Sequence, residues 1–140
     1  MVFKPAMVAP PVDESHWLLR LTPEQWLAAA RNDLSTSESA LAEGQAKKGM
    51  VLARRAAGMA MNAVLVLRPL DSWRRSYMEH LEAAARGEGV STEVASSALE
   101  LVDRAQQPLI KLGGGVSAGP VRAAQQVVAW CALEVERLQA

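Results

Sequence analysis

Arg75 and His80 stand with four residues between them in the stretch "RRSYMEH", and they are the side chains whose types best fit a reaction. An imidazole titrates near neutral pH, so His80 can move a proton to or from a ribose 2′-hydroxyl or a leaving oxygen. A guanidinium is a planar fork of donors that matches a phosphate and its developing charge, the role open to Arg75. In a ribonuclease reading such a pair would not need a metal, and Tyr77, the one tyrosine, could position the phosphate. Arg54, Arg55 and Arg74 are further candidates for phosphate or nucleic-acid contacts.

Helical geometry offers a second reading of the same residues. At roughly 100° per residue, Arg75 and His80 on one helix lie roughly 140° apart, and Arg74 and His80 roughly 120° apart. His80 then joins Trp73, Tyr77, Leu81 and Ala84 on an apolar stripe. Arg75 joins Glu79, Glu82 and Arg86 on an ion-paired solvent face. A catalytic pair would need an arginine reaching across a dimer interface or an irregular helix start. Arg54 and Arg55 have the same double aspect. They form a phosphate-binding pair, or they snorkel from an exposed helix edge with an ion pair to Asp33 or Glu38. Asn62, the lone polar side chain between Ala56 and Leu67, is suited to fixing helix register through a hydrogen bond.

Other chemistries find less support. His16, His80 and Cys131 do not make a metal-ligand spacing, so neither a metal nor a cofactor is expected. Cys131 falls on a packing stripe, where a thiol behaves as a small hydrophobe. The run "GGGVSAGP" precedes a helix start, but it has no Walker lysine and no preceding strand, and it reads as a connector. The tryptophans Trp17, Trp26, Trp73 and Trp130 read as core and rim anchors, too sparse for a base-stacking platform.

Five helices must position these residues. Thr22 with Gln25 is a capping box, Pro23 suits a first helical position, and Gly44 suits a stop. Leu27, Leu34 and Leu41 stripe the helix between. The second helix, about Gln45 to Leu67, carries Met50, Ala53, Ala57, Ala60, Val64 and Leu67 on one side and is apolar on most of the other. A helix of that kind is central or lies at a subunit interface. Asp71 predicts a third helix over about 72–86, Ser91 a fourth over about 92–107, and Pro120 a fifth running to the end. Residues 1–15 are proline-dense and read as an arm before a single domain, 16–140. The expected fold is all-α, an antiparallel up-down bundle of four main helices plus a shorter one.

Composition agrees. Half of the 140 residues are hydrophobic, and alanine, leucine and valine dominate, which favours close-packed helices over sheet. Fifteen basic residues offset fifteen acidic ones, so no overall field draws in nucleic acid or an anionic membrane. The single cysteine excludes an intramolecular disulfide. The N-terminus has no signal-peptide apolar stretch, and the longest apolar run, Ala56 to Leu67, is too short to span a bilayer. A soluble, cytoplasmic chain without membrane contact is expected.

Over residues 22 to 139 the order and spacing of these helices resemble the HEPN family of prokaryotic helical bundles. "EQWLAAARNDLSTSESALAEGQ" is similar to the first family helix, with Asp33–Leu34 and then Leu41 and Gly44. "MVLARRAAGMAMNAVLVL" is similar to the second, although Gly58, Met59 and Asn62 stand where the family commonly has charged residues. Glu79, His80 and Leu81 sit near the family's His-Asp-Leu position. The resemblance implies a bacterial homodimer in a nucleotide or RNA setting. One branch consists of metal-independent, toxin-like ribonucleases with an Arg-x(4–6)-His motif. Another consists of non-catalytic partners of small nucleotidyltransferases or of toxin–antitoxin systems. The expected role is therefore a dimeric binding or regulatory module, formed through the second or the last helix. A ribonuclease using Arg75 and His80, or a purely structural bundle, are the alternatives.

Overall fold

A computed structural model describes residues 17–103 and 119–140. The arm at 1–15, His16 and the connector up to Ala118 lie outside the described residues. The elements are α1 (Pro23–Ala42), α2 (Ala46–Leu67), a 3-10 turn (Asp71–Trp73), α3 (Tyr77–Ala85), α4 (Thr92–Val102) and α5 (Gly119–Gln139). No strand occurs among the described residues, so the all-α expectation holds.

The α1 start is the one the sequence spells out. The Thr22 hydroxyl accepts from the Gln25 amide at 3.1 Å, and the Gln25 side chain accepts from the Thr22 amide at 2.9 Å. At its other end Gly44 has φ +81°, the Gln45 amide donates to the Ala40 carbonyl and the Gly44 amide to the Leu41 carbonyl. That is a Schellman stop, which satisfies two orphan carbonyls and needs a residue free of the Cβ penalty at φ > 0. Gly87 ends α3 in the same way, with its own amide donating to Ala84 and that of Glu88 to Ala83.

Helix α2 is the axis of the molecule and packs against each of the other four. Ala53, Ala56, Ala57, Ala60, Met61, Asn62, Ala63 and Val64 are fully buried, which accounts for a helix apolar nearly all round. Its 22 residues include an 18-residue window of mean hydropathy 1.4, so the helix is long and apolar enough to cross a bilayer, as the run Ala56–Leu67 alone was not. The bundle, however, buries 72% of that apolar window. Its small residues set the close approaches. Ser37 Oγ donates to the Gly49 carbonyl at 2.7 Å where α1 meets α2.

Gly58 makes the tightest of these contacts. A Cβ there would stand 2.5 Å from Tyr77 Cδ1 and 2.6 Å from Cγ, and against the Tyr77 Cβ as well. That last atom is fixed to the α3 backbone, so a rotamer change cannot clear it. Gly58→Ala should gain helix propensity and still destabilise the fold by about 1–3 kcal/mol, because α3 must move off α2. The urea midpoint of the variant checks this. An unchanged or raised midpoint would mean that α3 does not sit against Gly58.

Two helix boundaries differ from expectation. The third helix does not begin at Ser72 under an Asp71 cap. Asp71–Trp73 form a 3-10 turn, Arg74 follows with φ 58° and ψ −142°, and α3 begins only at Tyr77. The reason is local. Ser76 with Glu79 is itself a capping box, with the Glu79 amide donating to Ser76 Oγ at 3.1 Å and the Ser76 amide to Glu79 Oε1 at 3.1 Å. The fourth helix stops at Val102, where Asp103 is extended, and residues 104–107 of the expected helix lie outside the described residues.

Candidate functional site: the turn at 71–76 and its two sides

The 3-10 turn divides the sequence-nominated residues. His80 goes inward and is fully buried. Its Nδ1–H donates to the Trp73 carbonyl at 2.6 Å, and its Nε2 lies 2.7 Å from the Asn62 amide oxygen. Trp73 and Tyr77 pack around the ring, with centroids 6.3 Å away in each case. Burial pushes the His80 pKa below the ordinary histidine value, opposed by the bond to Trp73 and the nearby Glu79 charge. A neutral ring that donates from Nδ1 has a lone pair at Nε2. An amide oxygen facing that nitrogen suits only an imidazolium. A half-turn of the Asn62 amide instead offers an N–H to the ring and employs Nδ2, which otherwise has no partner among the described residues. Asn62 thus has the bonding role its position suggested, with His80 as its partner.

Trp73 is the hub of this inner side. It has no exposed surface, its indole N–H donates to the Glu88 carbonyl at 2.7 Å, and the Arg68 guanidinium lies 5.9 Å from its ring centroid. Arg68 also donates to the Gly89 carbonyl at 3.0 Å and approaches Glu134 of α5 at 3.7 Å. One cation therefore ties the end of α2 to the α3–α4 loop and to the last helix.

Arg74 and Arg75 go outward and are exposed. They line a cleft of about 750 Å³, bounded by residues 17–19, the end of α2 and the turn itself. Leu18, Leu65, Val66 and Leu70 are among its apolar lining, with Trp17 as an aromatic member and Asp71 and Glu79 among its polar groups. His80 is not part of the lining. Arg74 Nε approaches Glu79 at 3.6 Å, with the two side chains 69% and 40% exposed, so the pair is weak. Glu79 accepts from the backbone amides of Ser76 and Arg75, and these bonds hold its carboxyl below the usual carboxylate range. Ion pairs on this side include Arg74–Glu79 and Arg86–Glu88.

Arg54 and Arg55 serve two other places. Arg54 Nε donates to the Leu101 carbonyl at 2.6 Å, capping the C-terminal end of α4, where a cation meets the helix dipole. Arg55 forms a bidentate pair with the nearly buried Asp33, at 2.5 and 3.0 Å. The hydrogen bond to Asp33 raises the Arg55 pKa. Tyr77 lies in the field of this pair, and burial pushes its hydroxyl pKa up, with Arg55 opposing. Of the nominated residues, the structure joins Arg74 with Arg75 at the cleft and Arg55 with Tyr77 at the α1–α2–α3 junction. It places Arg54 apart from both groups, and His80 against Tyr77 but outside the cleft lining.

Sequence reading did not single out Trp17, Leu65, Val66 and Leu70 as one site. They come from three separate segments, and no spacing links them. The turn that gathers them did leave a trace, the Ser76-x-x-Glu79 box. No cluster of three or more metal-ligating side chains occurs among the described residues. Cys131 is fully buried, and burial pushes its thiol far above the ordinary range. No family model, no curated protein and no solved structure matches this chain, so the resemblance to the HEPN family rests on the quoted residues alone.

Proposed function

We propose that this chain is a non-catalytic binding or regulatory module and that its binding surface is the cleft beside the 3-10 turn. The separation of His80 from Arg74 and Arg75 carries this reading. A general acid or base must reach the proton it moves, within about 3 Å or through one water. A ring buried between Trp73 and Asn62 is built to hold a core together. The cleft has the size of a small-molecule site and sets Leu18, Leu65, Val66 and Leu70 beside four charged side chains, Asp71, Arg74, Arg75 and Glu79. A nucleotide- or RNA-related partner protein, a nucleotidyltransferase or a toxin–antitoxin partner among them, remains the setting suggested by the resemblance. A second copy of the chain would dock on α5, where Leu133 is 66% exposed, because α2 is consumed inside the bundle.

Two measurements test this. His80→Ala and the parent chain, if both fold, should leave a structured RNA equally intact. Cleavage by the parent that the variant lacks would establish the ribonuclease alternative. A small apolar anion such as anilinonaphthalene sulfonate should shift the methyl resonances of Leu65, Val66 and Leu70. Shifts confined to other methyls would remove the cleft as the binding surface.

A further inference from the structure

The cleft contains one backbone oddity. Arg74 is the only described residue other than glycine with positive φ, at φ 58° and ψ −142°. A side chain is strained there and glycine is not, so the position favours glycine on conformational grounds alone. The fold nonetheless holds an arginine at this point, on the lip of the cleft and 69% exposed. Among the described residues its one ion pair, to Glu79, is long and exposed, and Glu79 already accepts from two backbone amides. Neither that pair nor core packing explains a strained arginine here. A role for its head group toward a ligand does.

The apolar lining narrows the ligand class. It is aliphatic, formed by Leu18, Leu65, Val66 and Leu70, with Trp17 as the only aromatic ring. Although Trp17, Arg74 and Arg75 each offer a face on which a base could stack, the greater part of the apolar lining is aliphatic, and such a surface suits a hydrocarbon chain better. We propose that the cleft binds an aliphatic carboxylate of medium chain length, with the chain against the leucines and Val66 and the carboxylate on Arg74. This rests on the reading of the cleft as the binding surface and names its ligand class. The chain supplies most of the affinity through apolar burial. Arg74 supplies the preference for a charged end over a neutral one.

The test uses the full chain with sodium decanoate below its micelle concentration, decanol as the neutral control, and vesicles of phosphatidylglycerol. Decanoate should shift the Leu65, Val66 and Leu70 methyls and bind more tightly than decanol. Arg74→Gly should lower decanoate affinity about fivefold with decanol unchanged, since an exposed charge pair is worth little more. The same variant should raise the folding equilibrium constant by at least about fivefold, because the strained backbone is relieved. Arg74→Lys keeps both charge and strain, and it should retain the decanoate preference at parental stability. Equal affinity for decanoate and decanol, or a decanoate affinity untouched by Arg74→Gly, would overturn the proposal. So would binding to vesicles alone. If anilinonaphthalene sulfonate shifts the cleft methyls and decanoate does not, only the ligand class falls. If neither shifts them, the cleft reading falls too.

Discussion

Trp73→Ala should cost about 3–5 kcal/mol of stability, the largest loss expected from any single substitution around the turn. The residue has no exposed surface, so its removal opens a cavity beneath α3 that the neighbouring helices can only partly fill. Three further interactions weaken with it. The Glu88 carbonyl loses the indole N–H, the Arg68 cation loses its ring, and the backbone carbonyl that orients His80 loses the packing that fixes it. Urea unfolding of the parent and the variant measures the loss. Trp73→Phe, which fills most of the volume but cannot donate to Glu88, should fall between them. A loss below about 1 kcal/mol for Trp73→Ala would mean that the turn is not packed as described.

The Asn62–His80 pair should behave as a unit. Asn62→Leu leaves a buried ring nitrogen without its partner and should cost about 1–3 kcal/mol. His80→Leu leaves the amide and the Trp73 carbonyl without theirs, and a similar loss is expected. The double variant removes both halves, so its loss should be smaller than the sum of the two by about 0.5–3 kcal/mol. Strict additivity would show that the two side chains do not bond.

The pair also sets a pH window. Burial lowers the folded pKa of His80, so the unfolded chain binds the extra proton first as pH falls through about 6.5. His80 therefore contributes its full share of stability above that pH. The share is lost as pH falls from there toward the folded pKa, and it is constant below it. Glu79, Glu88 and Glu134 have lowered pKa values, so their stabilisation is present above the unfolded value of about 4.5 and lost only below it. The two windows are separate. Stability of the parent minus that of His80→Leu, followed from pH 7.5 to 5, isolates the histidine. It should shrink on acidification, whereas an exposed histidine would leave it flat.

Much of the fold was legible in the sequence because its signals are local. The Thr22–Gln25 box, Pro23 and Gly44 lie within one or two turns of the helix ends they define. The apolar repeat of α2 reports burial on all sides directly. The break before α3 was missed for a physical reason. Asp71 and Ser76 are both good caps, and only Ser76 is completed into a capping box, by Glu79. Arg74 at positive φ leaves no mark in sequence, since arginine has no preference for that region. The partition of the candidate site follows from the same turn. On one continuous helix, His80 lies on the apolar stripe and Arg75 on the opposite side. The turn keeps that separation and sends the arginines into a cleft whose walls come from distant segments. Asp33 and Arg55, by contrast, stand on two neighbouring helices joined by a short turn, so their pairing was within reach of sequence reasoning.

Nitrogen NMR of the His80 imidazole decides between a core residue and a proton carrier open to substrate. Assigned by comparison with His80→Leu, the ring should be the neutral tautomer protonated at Nδ1, with a pKa below 6.5 and no response to added RNA or nucleotide. A ring that titrates at or above 6.5 and moves when RNA is added would contradict the core role.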